Sequence, residues 1–130
     1  MGSEMCIRDR VNSFTRKDYL IGLGGGATTD LAGFVAATYM RGMRFIQIPT
    51  SLLGQVDASV GGKTAINFDG IKNFVGSFYN PEQIFINTEF LSSLNEQEFL
   101  NGLAEVIKHA IISSEAVSYT HLTLPTILLV

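Results

Sequence analysis

The sequence predicts an α/β fold, an incomplete Rossmann-like layer of parallel strands followed by the start of an all-helical C-terminal domain. Three observations carry that expectation. Short apolar runs the length of strands alternate with helically spaced segments between residues 17 and 94, which is the pattern of a parallel sheet with crossover helices. The first of these runs ends in glycines immediately before a helical segment. After residue 94 the spacing becomes purely helical.

The elements follow in order. "DYLIGL" (18 to 23) is a buried-type strand with glycines behind it, and "TTDLAGFVAATYM" continues with helical spacing from a Thr-Thr-Asp start suited to capping orphan N–H groups. "MRFIQIP" (43 to 49) forms a second strand stopped by Pro49. Thr50 is placed to cap a helix through "SLLGQVDASV". The glycines and the Asp-Gly pair of "GGKTAINFDGIKNFVGSFYNP" predict a hairpin-like excursion, and "QIFINT" (83 to 88) a third strand. Asn95 with Glu98 reads as a capping box, with Leu94 and Phe99 at the staple positions. From there Leu103, Val106, Ile107, Ala110 and Ile111 make one apolar stripe, with Asn101, Glu105, Lys108 and His109 expected on the opposite side. Residues 1–16 have no periodicity and read as a non-native or disordered leader. Residues 17–94 read as part of an α/β domain, 95–117 as the first helix of a helical domain, and 118–130 as a non-native tail.

Composition narrows the function classes. Hydrophobic residues make up 46% of the 130 and charged ones 16%, so apolar surface is expected to meet a partner. A net charge of −3 with scattered basic residues offers no stripe for nucleic acid or an acidic membrane. No apolar run reaches the ~20 residues of a membrane span, and the single Cys6 leaves no internal disulfide. A cytoplasmic protein is expected.

Three stretches could carry chemistry. Gly22, Gly24 and Ala27 fit G-x-G-x-x-G/A between a strand and a helix, where bare N–H groups at a helix N-terminus receive a pyrophosphate. The acidic residue that the fingerprint expects about 20 positions later is replaced by Arg41 and Arg44. Close packing of helix on strand explains such glycines equally well. Asp57, Lys63 and Asn67 surround two glycines, and Lys72 and Asn73 follow; this suits an anionic, hydroxylated substrate, or else a solvated loop of ordinary charges. Glu105 and Lys108 are spaced as an ordinary i,i+3 ion pair. Glu105 and His109 at i,i+4 form half a metal site, with His121 far off in the tail, so spacing assembles no complete site.

Taken together, "GGGATTDLAGFVAATYMRG", "RFIQIPTSLLGQVDASVGGKTAIN", "KNFVGSFYNP" and "GLAEVIKHA" resemble the central blocks of the 3-dehydroquinate synthase family, over residues 17 to 115. The resemblance implies NAD and a divalent metal, Zn²⁺ or Co²⁺, as cofactors, a small phosphorylated sugar acid as substrate and a homodimeric parent. It implies that Gly25, Gly26, Ala27, Thr28, Thr29 and Asp30 lie along the NAD pyrophosphate and ribose, and that Thr50 and Ser51 also contact NAD. Phe90, Leu91, Ser92 and Ser93 correspond to a further turn near NAD. Lys63, Lys72 and Asn73 correspond to nucleotide or substrate-phosphate contacts, Asp57 and Lys108 to substrate-hydroxyl contacts, and Arg41 to an arginine reaching the neighbouring subunit's phosphate site. Glu105 corresponds to the metal-binding glutamate. The family's two histidine ligands correspond to neither His109 nor His121, so the 130-residue piece is expected to be inactive alone. Other sugar phosphate cyclases, metal-dependent polyol dehydrogenases and a non-catalytic binding or oligomerisation fragment are the competing readings.

Overall fold

The computed structural model describes residues 14–113; residues 1–13 of the 1–16 leader, the last residues of the 95–117 helix and the 118–130 tail with His121 lie outside the described residues. A three-stranded parallel sheet runs in the order β1 (Tyr19–Gly24), β2 (Arg44–Pro49), β5 (Gln83–Ile84). β1 and β2 pair from Tyr19–Arg44 to Gly24–Pro49 and are joined by helix α1 (Gly26–Thr38). Between β2 and β5 the chain makes an antiparallel hairpin, β3 (Lys63–Phe68) with β4 (Ile71–Phe78). Its turn is Asp69-Gly70, both at positive φ (50° and 76°), as a two-residue turn matching strand twist requires. The expected excursion is therefore a true hairpin.

Helix α1 lies between the sheet and this hairpin. A Cβ on Gly33 would collide with Thr64 of β3 and come 3.4 Å from the Phe45 ring of β2, so only glycine lets the three layers close. Beside it, Ala36, Met43 and Phe45 form the buried core, flanked by Leu20, Tyr39 and Tyr79. Phe45 stacks on Tyr79 with ring centroids 5.7 Å apart, and the Tyr79 hydroxyl donates to the Met43 carbonyl at 3.0 Å, which anchors the chain leaving β4 against β2. On the other side of β1, Ile21 and Leu23 remain more than half exposed.

Several boundaries differ from expectation. Helix α1 starts two residues before the Thr-Thr-Asp cap, at Gly26. Its N-cap Gly25 has no side chain to offer, and Thr28 and Thr29 donate their N–H groups to the Gly25 carbonyl at 3.0 and 3.1 Å. Thr50 caps nothing; its N–H donates to the Gly24 carbonyl, while Ser51 Oγ accepts from Gly54 N–H at 3.2 Å. The helix expected after it is a short, wide turn, Gly54–Ala58, closed by the Ser59 N–H to Gly54 carbonyl bond. Gly61 and Gly62, at φ 91° and 66°, end it. The third strand is two residues long because Asn87 turns its side chain to accept from Glu89 N–H at 2.9 Å, starting a 3₁₀ helix over Thr88–Ser93.

Helix α2 (Glu96–Ser113) begins where the capping box places it, with Glu98 N–H donating to Asn95 Oδ1 at 2.9 Å. Its buried face is rotated from the expected stripe. Gly102, Val106 and Ala110 are buried and Glu105 and His109 half-buried, whereas Ile107 and Ile111 face outward. The cause is Gly102, whose missing side chain lets α2 sit against Leu52 and Leu53, with a Cβ there only 2.6 Å from the Leu53 nitrogen. Backbone approach, not apolar area, chose the face.

Candidate functional site

The site gathers at the C-terminal ends of β1 and β2, where open parallel sheets place their ligands. The glycines there divide between the two roles the sequence left open. A Cβ on Gly22 would lie 2.7 Å from Ala32 Cβ, and one on Gly24, at φ +154°, 2.7 Å from Thr28 Oγ1; these two serve helix-on-strand packing. Gly25 and Gly26 meet only Ser51 Oγ at 3.4 Å and Ala58 Cβ at 3.3 Å. They stand at the start of a 13-residue helix that has neither a side-chain cap nor an acidic residue in its first turn. Free N–H groups and the helix dipole make that end receptive to an anion.

Ser51 is the side chain that a Cβ on Gly25 would meet, and Thr50 is tied to Gly24 by its backbone, so the pair sits beside the glycine turn. Gly25, Gly26, Ala27 and Thr28 are at least partly open, but Thr29 is fully buried, its hydroxyl donating to the Gly26 carbonyl at 2.8 Å. Asp30 is half-buried; desolvation pushes its carboxyl above the ordinary 3.8, aided by the charge of Asp57 and opposed by Lys72. Asp30, Lys72 and Asp57 thus share one electrostatic neighbourhood. Lys63 and Asn73 are exposed on the hairpin, Asn73 in a left-handed conformation (φ 54°) with its N–H on Asn67 Oδ1 at 2.9 Å.

One candidate stands apart. Arg41 is exposed at φ 67° beyond the far end of α1, about 20 Å along the helix from the glycine turn at 1.5 Å per residue. Ser92 and Ser93 turn their hydroxyls onto the carbonyls of Glu89 and Phe90, their own 3₁₀ helix, with Phe90 and Leu91 half-buried in the same turn.

On α2, Glu105 pairs with Lys108, and that hydrogen bond holds the Lys108 ammonium above its ordinary value. Across from them, His109 Nε2 lies 3.4 Å from Asp57 Oδ1. One ligand atom each of Asp57, Glu105 and His109 falls within 4.8 Å of the others. Two carboxylates and an imidazole are a donor set that a borderline ion such as Zn²⁺ or Co²⁺ accepts, so the residues present fit a divalent metal. Sequence spacing found only the Glu105–His109 half because Asp57 is 52 residues away. It also missed Gln55, which is buried and donates to the carbonyls of Pro49 and Asn87 at 3.2 and 3.0 Å. That side chain fastens the Asp57 turn to the segment before the 3₁₀ helix.

Comparison with known proteins places this geometry. The chain is 56% identical over 106 residues to a 3-dehydroquinate synthase of Clostridium tetani (strain Massachusetts / E88), which covers 82% of this chain and 28% of the relative. Among solved structures, 2-epi-5-epi-valiolone synthase from Streptomyces hygroscopicus subsp. jinggangensis 5008, with NAD⁺ and Zn²⁺ bound, superposes with a TM-score of 0.74 at 34% identity, over 81% of this chain and 29% of that one. A 2-deoxy-scyllo-inosose synthase complexed with carbaglucose-6-phosphate, NAD⁺ and Co²⁺ gives 0.78 at 29% identity, over 86% and 30%. The chain therefore spans under a third of the length of each of these proteins. The model of the 3-dehydroquinate synthase N-terminal family matches residues 4–101, and with that match the chain belongs to the 3-dehydroquinate synthase family.

Proposed function

We propose that this chain is the nucleotide-holding part of a 3-dehydroquinate synthase, an NAD- and metal-dependent lyase. The parent would convert 3-deoxy-D-arabino-heptulosonate 7-phosphate to 3-dehydroquinate and phosphate, a step of aromatic amino acid biosynthesis, as a cytoplasmic homodimer. The observation that carries the reading is the uncapped N-terminus of α1, opening from a glycine turn at the end of β1 with Thr50 and Ser51 beside it. Solved neighbours with NAD⁺ and either Zn²⁺ or Co²⁺ support the cofactor pair.

On this reading Gly25, Gly26 and Ala27 present N–H groups to the pyrophosphate, with Thr28, Thr50 and Ser51 around it and the buried Thr29 bracing the turn through the Gly26 carbonyl. Asp30 accepts from a ribose hydroxyl. Lys63, Lys72 and Asn73 neutralise and orient the anionic part of nucleotide or substrate, and Asp57 and Lys108 hold substrate hydroxyls. Phe90, Leu91, Ser92 and Ser93 border the nucleotide, Arg41 serves the neighbouring subunit, and Glu105 holds the metal. The cofactors, when bound, supply transient hydride acceptance and polarisation of the substrate oxygens. Residues 17–94 make the nucleotide half and 95–117 the first helix of the metal and substrate half.

Titrating the chain with NAD tests the reading. Wild type should saturate. Gly25→Asp should bind NAD far more weakly because its carboxylate occupies the anion's place, while resisting heat at least as well as wild type, since Asp is a good N-cap. Wild type that takes up no NAD, or Gly25→Asp that binds it equally well, would overturn the assignment.

A further inference from the structure

We infer that Gln55 is a positioning residue of the nucleotide site: its carboxamide sets the spacing between the Thr50–Ser51 turn and the turn that starts at Asn87. The inference rests on the nucleotide reading above and goes beyond it, since Gln55 is buried and acts through its neighbours. The need for such a residue begins with Pro49. β5 pairs with β2 at Ile46–Gln83 and Gln47–Ile84, and the Phe85 N–H adds a bond to the Gln47 carbonyl at 2.8 Å. A further rung at Pro49 would need an N–H that proline lacks, so the ladder stops at the end of the sheet where the ligand is placed. The Gln55 Nε2 donates there to the carbonyls of Pro49 and Asn87, at 3.2 and 3.0 Å. A carboxamide nitrogen has two hydrogens to give, and both are used. One side chain thus stands in for the missing rung.

Each end of that brace is fastened to a segment assigned to the border of NAD. On one side Pro49 leads into Thr50, whose N–H donates to the Gly24 carbonyl at 2.8 Å, and Ser51, whose carbonyl accepts from the Gln55 N–H at 3.0 Å. On the other, the Asn87 carbonyl also accepts from the Phe90 N–H at 3.4 Å. The acceptor that Gln55 holds is therefore the one that opens the 3₁₀ helix carrying Phe90, Leu91, Ser92 and Ser93. Shifting the Gln55 side chain moves the two turns relative to one another. Pro49 is fully buried, so its carbonyl has no water to accept from if Gln55 is lost, and an unpaired buried carbonyl is costly. The turn would have to move to find a partner. A brace with a purely structural role would lower stability and leave the affinity of the folded protein alone.

Titration of the full chain with NAD, at a temperature where circular dichroism shows each variant folded, separates positioning from stability. Wild type should saturate. Gln55→Met, of similar length but without a donor, should weaken NAD by about tenfold or more, the scale that misplaced binding groups cost. Gln55→Glu should do the same at pH 8, where its carboxylate repels both carbonyls. At pH 6 it should recover part of the loss relative to wild type at the same pH, because burial raises its pKa and the protonated acid can donate again. This variant decides the matter if Gln55→Met does not fold. Asn95→Ala, which weakens the protein by removing the α2 cap, should bind NAD like wild type. If the folded Gln55 variants bind NAD as well as wild type, or lose no more than Asn95→Ala does, the inference falls and the nucleotide reading stands. If wild type binds no NAD, both fall.

Discussion

Gly102→Ala puts the docking of α2 to a quantitative test, because helix propensity and packing demand opposite signs. In a helix interior the change should stabilise by about 0.5–1 kcal/mol, since glycine has more backbone entropy to lose. The new Cβ would, however, lie 2.6 Å from the Leu53 nitrogen and 2.6 Å from Leu52 Cβ. Backbone cannot yield as a flexible side-chain tip can, and inserting a methyl into such a contact costs about 1–3 kcal/mol. The net expectation is a loss of about 1–2 kcal/mol, read as a fall of about 4–8 °C in Tm for each kcal/mol in a domain of this size. Thermal unfolding followed by circular dichroism checks this. A Tm that rises would refute the packing argument and leave propensity in charge.

Other expectations follow from single contacts. Asp30, with its native carboxyl raised above 3.8 by burial, binds protons more tightly folded than unfolded, so it makes stability fall as pH rises through that window and remain lowered above it. Asp30→Asn should therefore be more stable than wild type at pH 7, with the difference shrinking below pH 4, in urea unfolding at the two pH values; its NAD affinity should fall. Asn95→Ala removes the acceptor for Glu98 N–H and should cost about 0.5–2 kcal/mol, measured by urea midpoint. Phe45→Ala empties a wholly buried position between α1 and Tyr79 and should cost about 3–5 kcal/mol; a midpoint within error of wild type would remove Phe45 from the core.

How much of this could be read beforehand varied with how local the cause was. The two long strands, the Asp69-Gly70 hairpin turn and the Asn95 cap follow from the identity of neighbouring residues, so period and capping rules reach them. The inward turn of Glu105 and His109 does not, because it depends on Gly102 meeting the distant Leu53 backbone, and an apolar stripe counted along α2 points the other way. The same holds for Asp57, which joins Glu105 and His109 only through the fold. Glycine roles were equally hidden: Gly22 and Gly25 stand three residues apart in one motif, yet one packs on Ala32 and the other opens a helix end. Thr50 alone looked placed to cap, yet the path of the chain out of β2 ties its N–H to Gly24 and leaves Ser51 to accept from Gly54 N–H.

The hairpin inserted between β2 and β5 also sets an order for folding. Its own pairing is local and closes on the timescale of about 1–10 μs known for hairpins. β2 and β5 are separated by roughly 37 residues at the Gln47–Ile84 pair, but once Lys63 has met Phe78 the intervening loop is effectively shorter by roughly 15. On a logarithmic closure law that lowers the entropic cost of bringing β5 home by roughly 0.5 kcal/mol. The excursion that presents Lys63, Lys72 and Asn73 is thus also a shortcut for β5. β5 alone gains by it, since β1, helix α1 and β2 close on one another upstream of the hairpin.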